Sequence, residues 1–488
     1  MAVATGTLGA ISPDELRRDL TAFAHDSMRG RETGTAEAEK AAAFIAQRAQ
    51  ELGLEPAGDS MYLQRVPLVR ERIGPNTRIE ATGEGGPVSL RLGSDVVPFL
   101  NLGDGVPLPR LTADGSIVFV GYGVSSSSLH RDDFTGLDLS GKVVVMLHGA
   151  PANADSTQRA QLESQAEVGG RIGRLLGRNP AAIILLMTPA TKKTFDEFAP
   201  ELLRTVVPAG GGARSRTLPL VMIGLATAGS PLLPAGYPAD DRAQSIPRRF
   251  SARVEVVREP FVAHNVVAVL RGTDPALART YVAFGAHYDH IGVQSGMSPD
   301  SIANGADDDG SGTVALLAVA KAMRSSPPKR SALFVWHVGE EKGLLGSAFF
   351  TDHPTVPIDS IVAQVNADMI GRNAPSELYI VGPKAAPNGQ GRILGAIVDS
   401  VNAALAQPFK FDREWDSPTH PEQIYFRSDH YNYARKGIPI VYFTSGLHDD
   451  YHKVSDEVSK IDFTKLAHVA ELIARTGLAV GNRGARPR

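Results

Sequence analysis

The sequence predicts an α/β protein: a mixed, largely parallel sheet covered by helices, with a second, β-rich module inserted into it. Three observations predict this. From Val266 onward, apolar strand-type segments alternate with helix-type segments, the pattern of βαβ units around a parallel sheet. From about Asp59 to Arg110 that rhythm is replaced by short apolar segments separated by Gly and Pro, as in antiparallel β structure. The chain also has 488 residues, more than one ordinary domain holds. The expected division is 12–110 for the N-terminal part of the main domain with its β connection, 115–257 for the inserted module, and 258–482 for the rest of the main domain.

Composition removes several function classes. Hydrophobic residues make up 43% and charged residues 21%, ordinary for a globular chain. The net charge of −3 offers no electrostatic case for nucleic acid or an anionic membrane surface. There are no cysteines, so disulfides and thiolate metal sites are excluded, and any metal must be held by His, Asp or Glu. No apolar run reaches the roughly 18 residues of a membrane span. The N-terminus has no basic region followed by an apolar core. The expectation is a secreted or periplasmic protein whose signal peptide is absent from this chain, with a cytoplasmic location left open.

In chain order, Ser12-Pro13-Asp14-Glu15 is a helix start, with Ser as N-cap, Pro in first position and Glu three residues after the cap. A second helix is expected from about Ala36 to Leu52, stopped by Gly53. The polar turn between them, Met28 to Thr35, reads first as a structural connection. In the inserted module, Ile117 to Gly123 reads as strand and turn, and Leu139 to Leu147 as turn into buried strand. Gln158 to Leu176 reads as a helix, and Ala181 to Met187 and Leu220 to Ile223 as strands. This module brings no cluster of His with carboxylates and is assigned no chemistry. In the main domain, strands are expected at Val266–Leu270, Tyr281–Phe284, Leu333–Val338, Ile361–Asn366, Leu378–Val381 and Ile438–Thr444. Helices are expected at Ser311–Met323, Gly343–Phe350, Gln390–Ala406 and from about Asp462 to Gly477.

Chemistry-bearing side chains gather at the ends of these strands, where open α/β sheets bind ligands. After strand Leu333–Val338 come two adjacent carboxylates, Glu340 and Glu341. Like charges side by side repel unless a cation or proton offsets them. A two-metal site does so, with one carboxylate on a metal and its neighbour serving as a base. After strand Tyr281–Phe284 comes His287-Tyr288-Asp289-His290, in which Asp289 is spaced to hold the imidazole of His287. Asp307-Asp308-Asp309 precedes a helix, Asp368 ends a strand, and His448 to Asp456 follows the last strand. Each alone has a bland reading as surface pair, cap or turn; at successive strand ends of one domain they point to a cation site.

The segments GAHYDH (285–290), NGADDDGSG (304–312), WHVGEEKGLLGS (336–347), VNADMIGR (365–372), FRSDHYNYARKGIP (426–439) and DYHKVSDE (450–457) resemble the co-catalytic di-zinc aminopeptidase family, which also holds glutamate carboxypeptidase. LTAFAHDSMRGRETGT (20–35) with FIAQRAQELGLEP (44–56) resembles the family's N-terminal start, and the module near 115–250 resembles a protease-associated domain. The resemblance implies two zinc ions, one on His287 and Asp368, the other on Glu341 and His452, with Asp308 bridging both. It implies that Asp289 orients His287, that Glu340 is the general base on a water activated by the ions, and that the peptide bond after Asp308 is cis. Tyr451, beside His452, and Tyr425, near Ser428-Asp429-His430, compete for stabilising the oxyanion, with Tyr451 preferred. His290, His430 and His448 stay outside the metal set, and the loop Trp415 to Pro421 is open between pocket rim and plain surface. The implied activity is removal of N-terminal residues from peptide substrates. The alternatives are a glutamate-carboxypeptidase-like carboxypeptidase or dipeptidase, which would need Arg372 or Arg427 aimed at a substrate carboxylate, a non-catalytic receptor-like binding protein on the same fold, and a single-zinc cyclotransferase. Oligomeric state is left open.

Overall fold

A computed structural model describes residues 8–100, 108–192, 195–196, 199, 202–209, 217–294 and 299–487. The chain divides into two compact units, one of 1–68 with 261–488 and one of 69–260.

In the first unit, four strands run parallel side by side: β2 (Ser331–His337), β1 (Tyr281–His287), β3 (Ile361–Ala367) and β4 (Ile440–Thr444), in that spatial order. Ser331–His337, Ile361–Ala367 and Ile440–Thr444 are buried at every residue, as expected for strands covered on both faces. That double cover explains why they read as continuous apolar runs rather than alternating ones. The sheet is mixed because its flanks run the other way. Val266–Leu270 pairs antiparallel with β2, and Glu377–Val381 pairs antiparallel with β4.

The helices begin where capping chemistry places them. Ser12 accepts from the Glu15 N–H at 3.4 Å to start Pro13–Phe23, and Thr35 accepts from the Ala38 N–H at 3.2 Å to start Ala36–Glu51. Asp462 caps the long final helix Phe463–Gly481 through the N–H groups of Thr464 and Lys465. That helix crosses β1 so closely that a Cβ at Gly477 would sit 2.2 Å from the Phe284 ring. The short helix His430–Arg435 was not anticipated; at six residues it is too brief for a periodic signal. Among the described residues no helix is long and apolar enough to cross a membrane.

The second unit is built on an eight-stranded sheet. Thr112–Phe119, Val143–His148, Ala182–Met187 and Leu220–Leu225 form its parallel centre. Arg78–Gly83, Gly86–Ser89 and Val96–Pro98 add antiparallel strands to the same sheet. The unit therefore begins well before the expected residue 115. Strands three to six residues long, separated by turns, carry no mark in the sequence of which sheet they join. The expected helix Gln158–Leu176 is broken at Ser164, whose extended backbone ends one helix and caps the next.

Candidate metal centre

Strand β1 delivers His287 and strand β3 is followed directly by Asp368, both at the C-terminal edge of the parallel sheet. β2 ends at His337, and the turn after it carries Glu340 and Glu341. Asp308 comes from the wide turn before helix Gly312–Arg324, and His452 from the loop after β4. The five expected ligands, far apart in the chain, are gathered at one place. His287 Nε2 lies 3.2 Å from Asp308 Oδ1 and 3.6 Å from Asp368 Oδ1. His452 Nε2 lies 3.2 Å from Asp308 Oδ2 and 3.0 Å from Glu341 Oε2. Asp308 thus turns one oxygen toward each imidazole, and the peptide bond that follows it is cis.

These spacings fit cations. Ligand atoms at ~2.0–2.1 Å from a tetrahedral ion stand roughly 3.3 Å from one another. Asp308 Oδ2 is buried and has no hydrogen-bond partner, so it is an acceptor without a donor. Groups of His287, Glu340 and Asp368, and of His290, Asp308 and Glu341, each bring three possible ligand atoms within 4.8 Å of one another. A cation between such carboxylates offsets the repulsion that burial magnifies.

Electrostatics separates the two adjacent glutamates. Burial pushes Glu340 well above the usual carboxylate range, with Glu341 and Asp368 adding to the shift. Glu341 is buried too, yet the His452 and His290 imidazoles hold it below that range. The two neighbours are thus shifted in opposite directions, the separation expected of a base beside a ligand. Glu340 Oε2 is 3.9 Å from His287 Nε2.

The three consecutive aspartates have three tasks. Asp308 faces the histidines. Asp307 accepts the Gly371 N–H at 2.7 Å and faces His448 Nε2 at 3.2 Å. Asp309 ties strand ends to helix start, accepting from the N–H groups of His287, Gly312 and Met369. A Cβ at Gly312 would lie 2.4 Å from Asp309 Oδ1, so this turn needs glycine there.

Several expectations change. The role of orienting His287 passes from the Asp289 carboxylate, 3.9 Å away, to the Asp289 main-chain carbonyl oxygen, 3.0 Å from His287 Nδ1. The carboxylate instead accepts from the Thr33 hydroxyl at 2.7 Å and the Glu340 N–H at 3.2 Å. His290 stands closer to the centre than expected, with Nδ1 2.7 Å from Glu341 Oε1. His430 donates from Nε2 to the Tyr425 carbonyl at 2.9 Å, as a structural residue should. Tyr425 is 3% exposed and packs its ring against Phe426, His430 and Tyr431. Tyr451 stacks on the His452 ring at 3.9 Å and accepts from Arg427 at 3.2 Å through its hydroxyl. Arg372 is engaged by Asp450 at 2.8 Å. In the loop at 415–421, Asp416 is buried and accepts from the N–H groups of Gly382, Lys384 and Ala385, which makes its inner end a structural anchor.

Sequence reasoning missed the residues that support the ligands. The Ser428 hydroxyl donates to Asp368 Oδ2 at 2.7 Å. Asp456 accepts the N–H groups of Asp307 and Asp308. Arg31, fully buried, donates to the carbonyls of Tyr288, Asn304 and Gly305 at 2.7–2.9 Å. The turn Met28–Thr35 is therefore part of the site's scaffold. An Arg in a short Gly-bearing turn was the available signal.

Residues 265–477 match Peptidase family M28, and all five gathered side chains lie inside that stretch. The chain is also similar to leucine aminopeptidase 1 of Trichophyton rubrum, 31% identical over 242 residues, which cover 46% of this chain and 60% of that protein. The chain thus spans about 60% of the length of the curated relatives it matches. Two solved structures share the fold of the whole chain. An aminopeptidase from Aneurinibacillus sp. strain AM-1 aligns with a TM-score of 0.59 at 18% identity, covering 98% of this chain and 96% of its own. A zinc aminopeptidase from Bacillus subtilis aligns with a TM-score of 0.53 at 17% identity, covering 98% and 97%.

Proposed function

We propose that the protein is a zinc-dependent aminopeptidase that hydrolyses the N-terminal peptide bond of peptides. The observation that carries this is Asp308, whose two oxygens each stand 3.2 Å from a different histidine Nε2, with one further carboxylate beside each histidine. In this reading His287 and Asp368 would hold one zinc and Glu341 and His452 the other, with Asp308 offering one oxygen toward each pair. The names of the relatives, aminopeptidases and in one case a zinc aminopeptidase, support the same activity. Two zinc ions there would lower the pKa of a water and polarise the scissile carbonyl.

The chain's own residues do the rest. Glu340, whose burial raises its affinity for a proton, takes one from the attacking water and hands it to the leaving amine. Its main chain is fixed by Asp289, so the carboxylate acts from a set position. Tyr451 donates its hydroxyl proton to the oxyanion as charge develops; the Arg427 N–H on its oxygen makes that donor stronger.

The carboxypeptidase alternative asks for Arg372 or Arg427 directed at a substrate carboxylate. Arg372 is engaged by Asp450 and Arg427 by Tyr451, which weighs against it. We read unit 69–260 as an insertion of the protease-associated kind, because it interrupts the first unit and has its own core. The test of function is a panel of peptides with free and acetylated N-termini, with and without a zinc chelator. Cleavage of the free-amine substrates alone, lost on chelation and restored by zinc, is expected. Equal cleavage of blocked peptides would overturn the reading.

A further inference from the structure

The turn near the N-terminus reaches the catalytic stretch from behind. Thr33 is 2% exposed, and its hydroxyl donates to Asp289 Oδ2 at 2.7 Å. The other oxygen of that carboxylate accepts the Glu340 N–H at 3.2 Å. One residue earlier, Glu32 Oε1 lies 3.2 Å from Lys342 Nζ, in a pair whose side chains are only 12% and 13% exposed. Consecutive residues of one turn therefore grip both sides of Glu340–Lys342. Arg31 anchors that turn to the strand ends through the carbonyls of Tyr288, Asn304 and Gly305.

We propose that Thr33 is a positioning residue for hydrolysis: acting through Asp289, it sets the main-chain position of Glu340 and so the reach of the base. The inference rests on the aminopeptidase reading above. A carboxylate with a donor on each oxygen cannot rotate without losing one of them. Without the Thr33 hydroxyl, Asp289 Oδ2 is left buried and unpaired, and the cost of that is relieved by turning. His287 Nδ1, 3.9 Å from Asp289 Oδ1, is already engaged by the Asp289 main-chain carbonyl at 3.0 Å and does not replace the lost hydroxyl. A carboxylate that turns to pair its bare oxygen elsewhere gives up the Glu340 N–H. A base must stand within hydrogen-bond reach of its proton, and a misplacement of ~1 Å costs up to about 100-fold in rate.

The test compares wild type, Thr33→Val and Thr33→Ser on one aminoacyl substrate that the wild type cleaves. Zinc per chain is measured on each, together with amide hydrogen exchange of the segment holding Glu340. Thr33→Val, which keeps shape and removes the hydroxyl, is expected to lower kcat at least about tenfold while KM stays within about twofold. Its zinc content should be unchanged, exchange at Glu340 should quicken, and Thr33→Ser should recover most of kcat. Wild-type kcat in Thr33→Val, equal loss in Thr33→Ser, or a loss traced entirely to missing zinc would overturn the proposal. If Thr33→Val does not fold, Thr33→Ala removes the same hydroxyl without a branched side chain and is read the same way. A wild type inactive on every substrate would instead remove the aminopeptidase reading, and unchanged exchange at Glu340 would then overturn the Thr33 link by itself.

Discussion

Asp456 Oδ2 accepts the main-chain N–H of Asp308 at 3.0 Å, across 148 residues of sequence. The residue that faces both histidines is thus held from behind by the loop that supplies one of them. Asp456 is fully buried and accepts the Asp307 N–H as well. Asp456→Ala would leave two buried N–H groups without acceptors, a loss of about 3 kcal/mol. A lowered melting temperature and weaker zinc retention against a chelator are expected together, since the same contact serves both.

Glu340→Gln keeps size and hydrogen bonding but cannot accept the proton. The expected result is unchanged zinc content and a kcat lower by about 10²–10⁴-fold. Metal analysis beside steady-state kinetics checks it, and near-normal turnover would remove Glu340 from the role of base.

The two tyrosines separate cleanly. Tyr451 touches the His452 ring, whereas Tyr425 packs among Phe426, His430 and Tyr431. Tyr451→Phe should lower kcat about 10²–10³-fold with little effect on melting, as for loss of an oxyanion donor. Tyr425→Phe should leave kcat near wild type.

Removing the metals should destabilise the fold as well as silence it. Asp308, Glu340, Glu341 and Asp368 are brought into one buried place, and without cations their mutual repulsion must be relieved by protonation or opening. Zinc at 100 times its dissociation constant adds about 2.7 kcal/mol per site. Thermal melts with chelator, then with zinc restored, should fall and recover; an unchanged melt would contradict the metal assignment.

His430 supplies a pH test independent of the metals. Burial lowers its pKa to about 4, so the folded protein keeps it neutral where the unfolded chain, at about 6.5, protonates it. As pH falls from 6.5 toward 4 the unfolded state takes up the proton first, and stability drops by on the order of 3 kcal/mol. The contribution is complete above 6.5. Replacing His430 by Asn should flatten the fall of melting temperature over that interval relative to wild type.

The main strands, the helices and the ligand types could be read from the sequence because each is local. A strand covered on both faces writes an unbroken apolar run, and a metal ligand at its end stands out against that run. His287 and Asp368 stood out in this way, whereas the choice of Asp308, Glu341 and His452 among their acidic and histidine neighbours came from the family resemblance. What supports them was not visible. Thr33 meets Asp289 across 256 residues, and Ser428 meets Asp368 across 60. A threonine in a polar turn looks the same whether it touches solvent or a buried carboxylate. The Asp289 expectation failed for a related reason: spacing shows that a side chain can reach its neighbour, but not that a main-chain carbonyl reaches first. The boundary of the second unit was missed because short strands reveal their partners only through pairing.

Arg31 bonds to Gly305 across 274 residues, so that contact cannot form until the chain has been made past residue 305. Contacts this distant carry a high entropic toll before they return anything, and they slow the search for the native state. A nascent chain halted before residue 452 would already possess the parallel strands yet lack the second histidine. The cluster of histidines and carboxylates would then be completed only after the parallel strands that carry it.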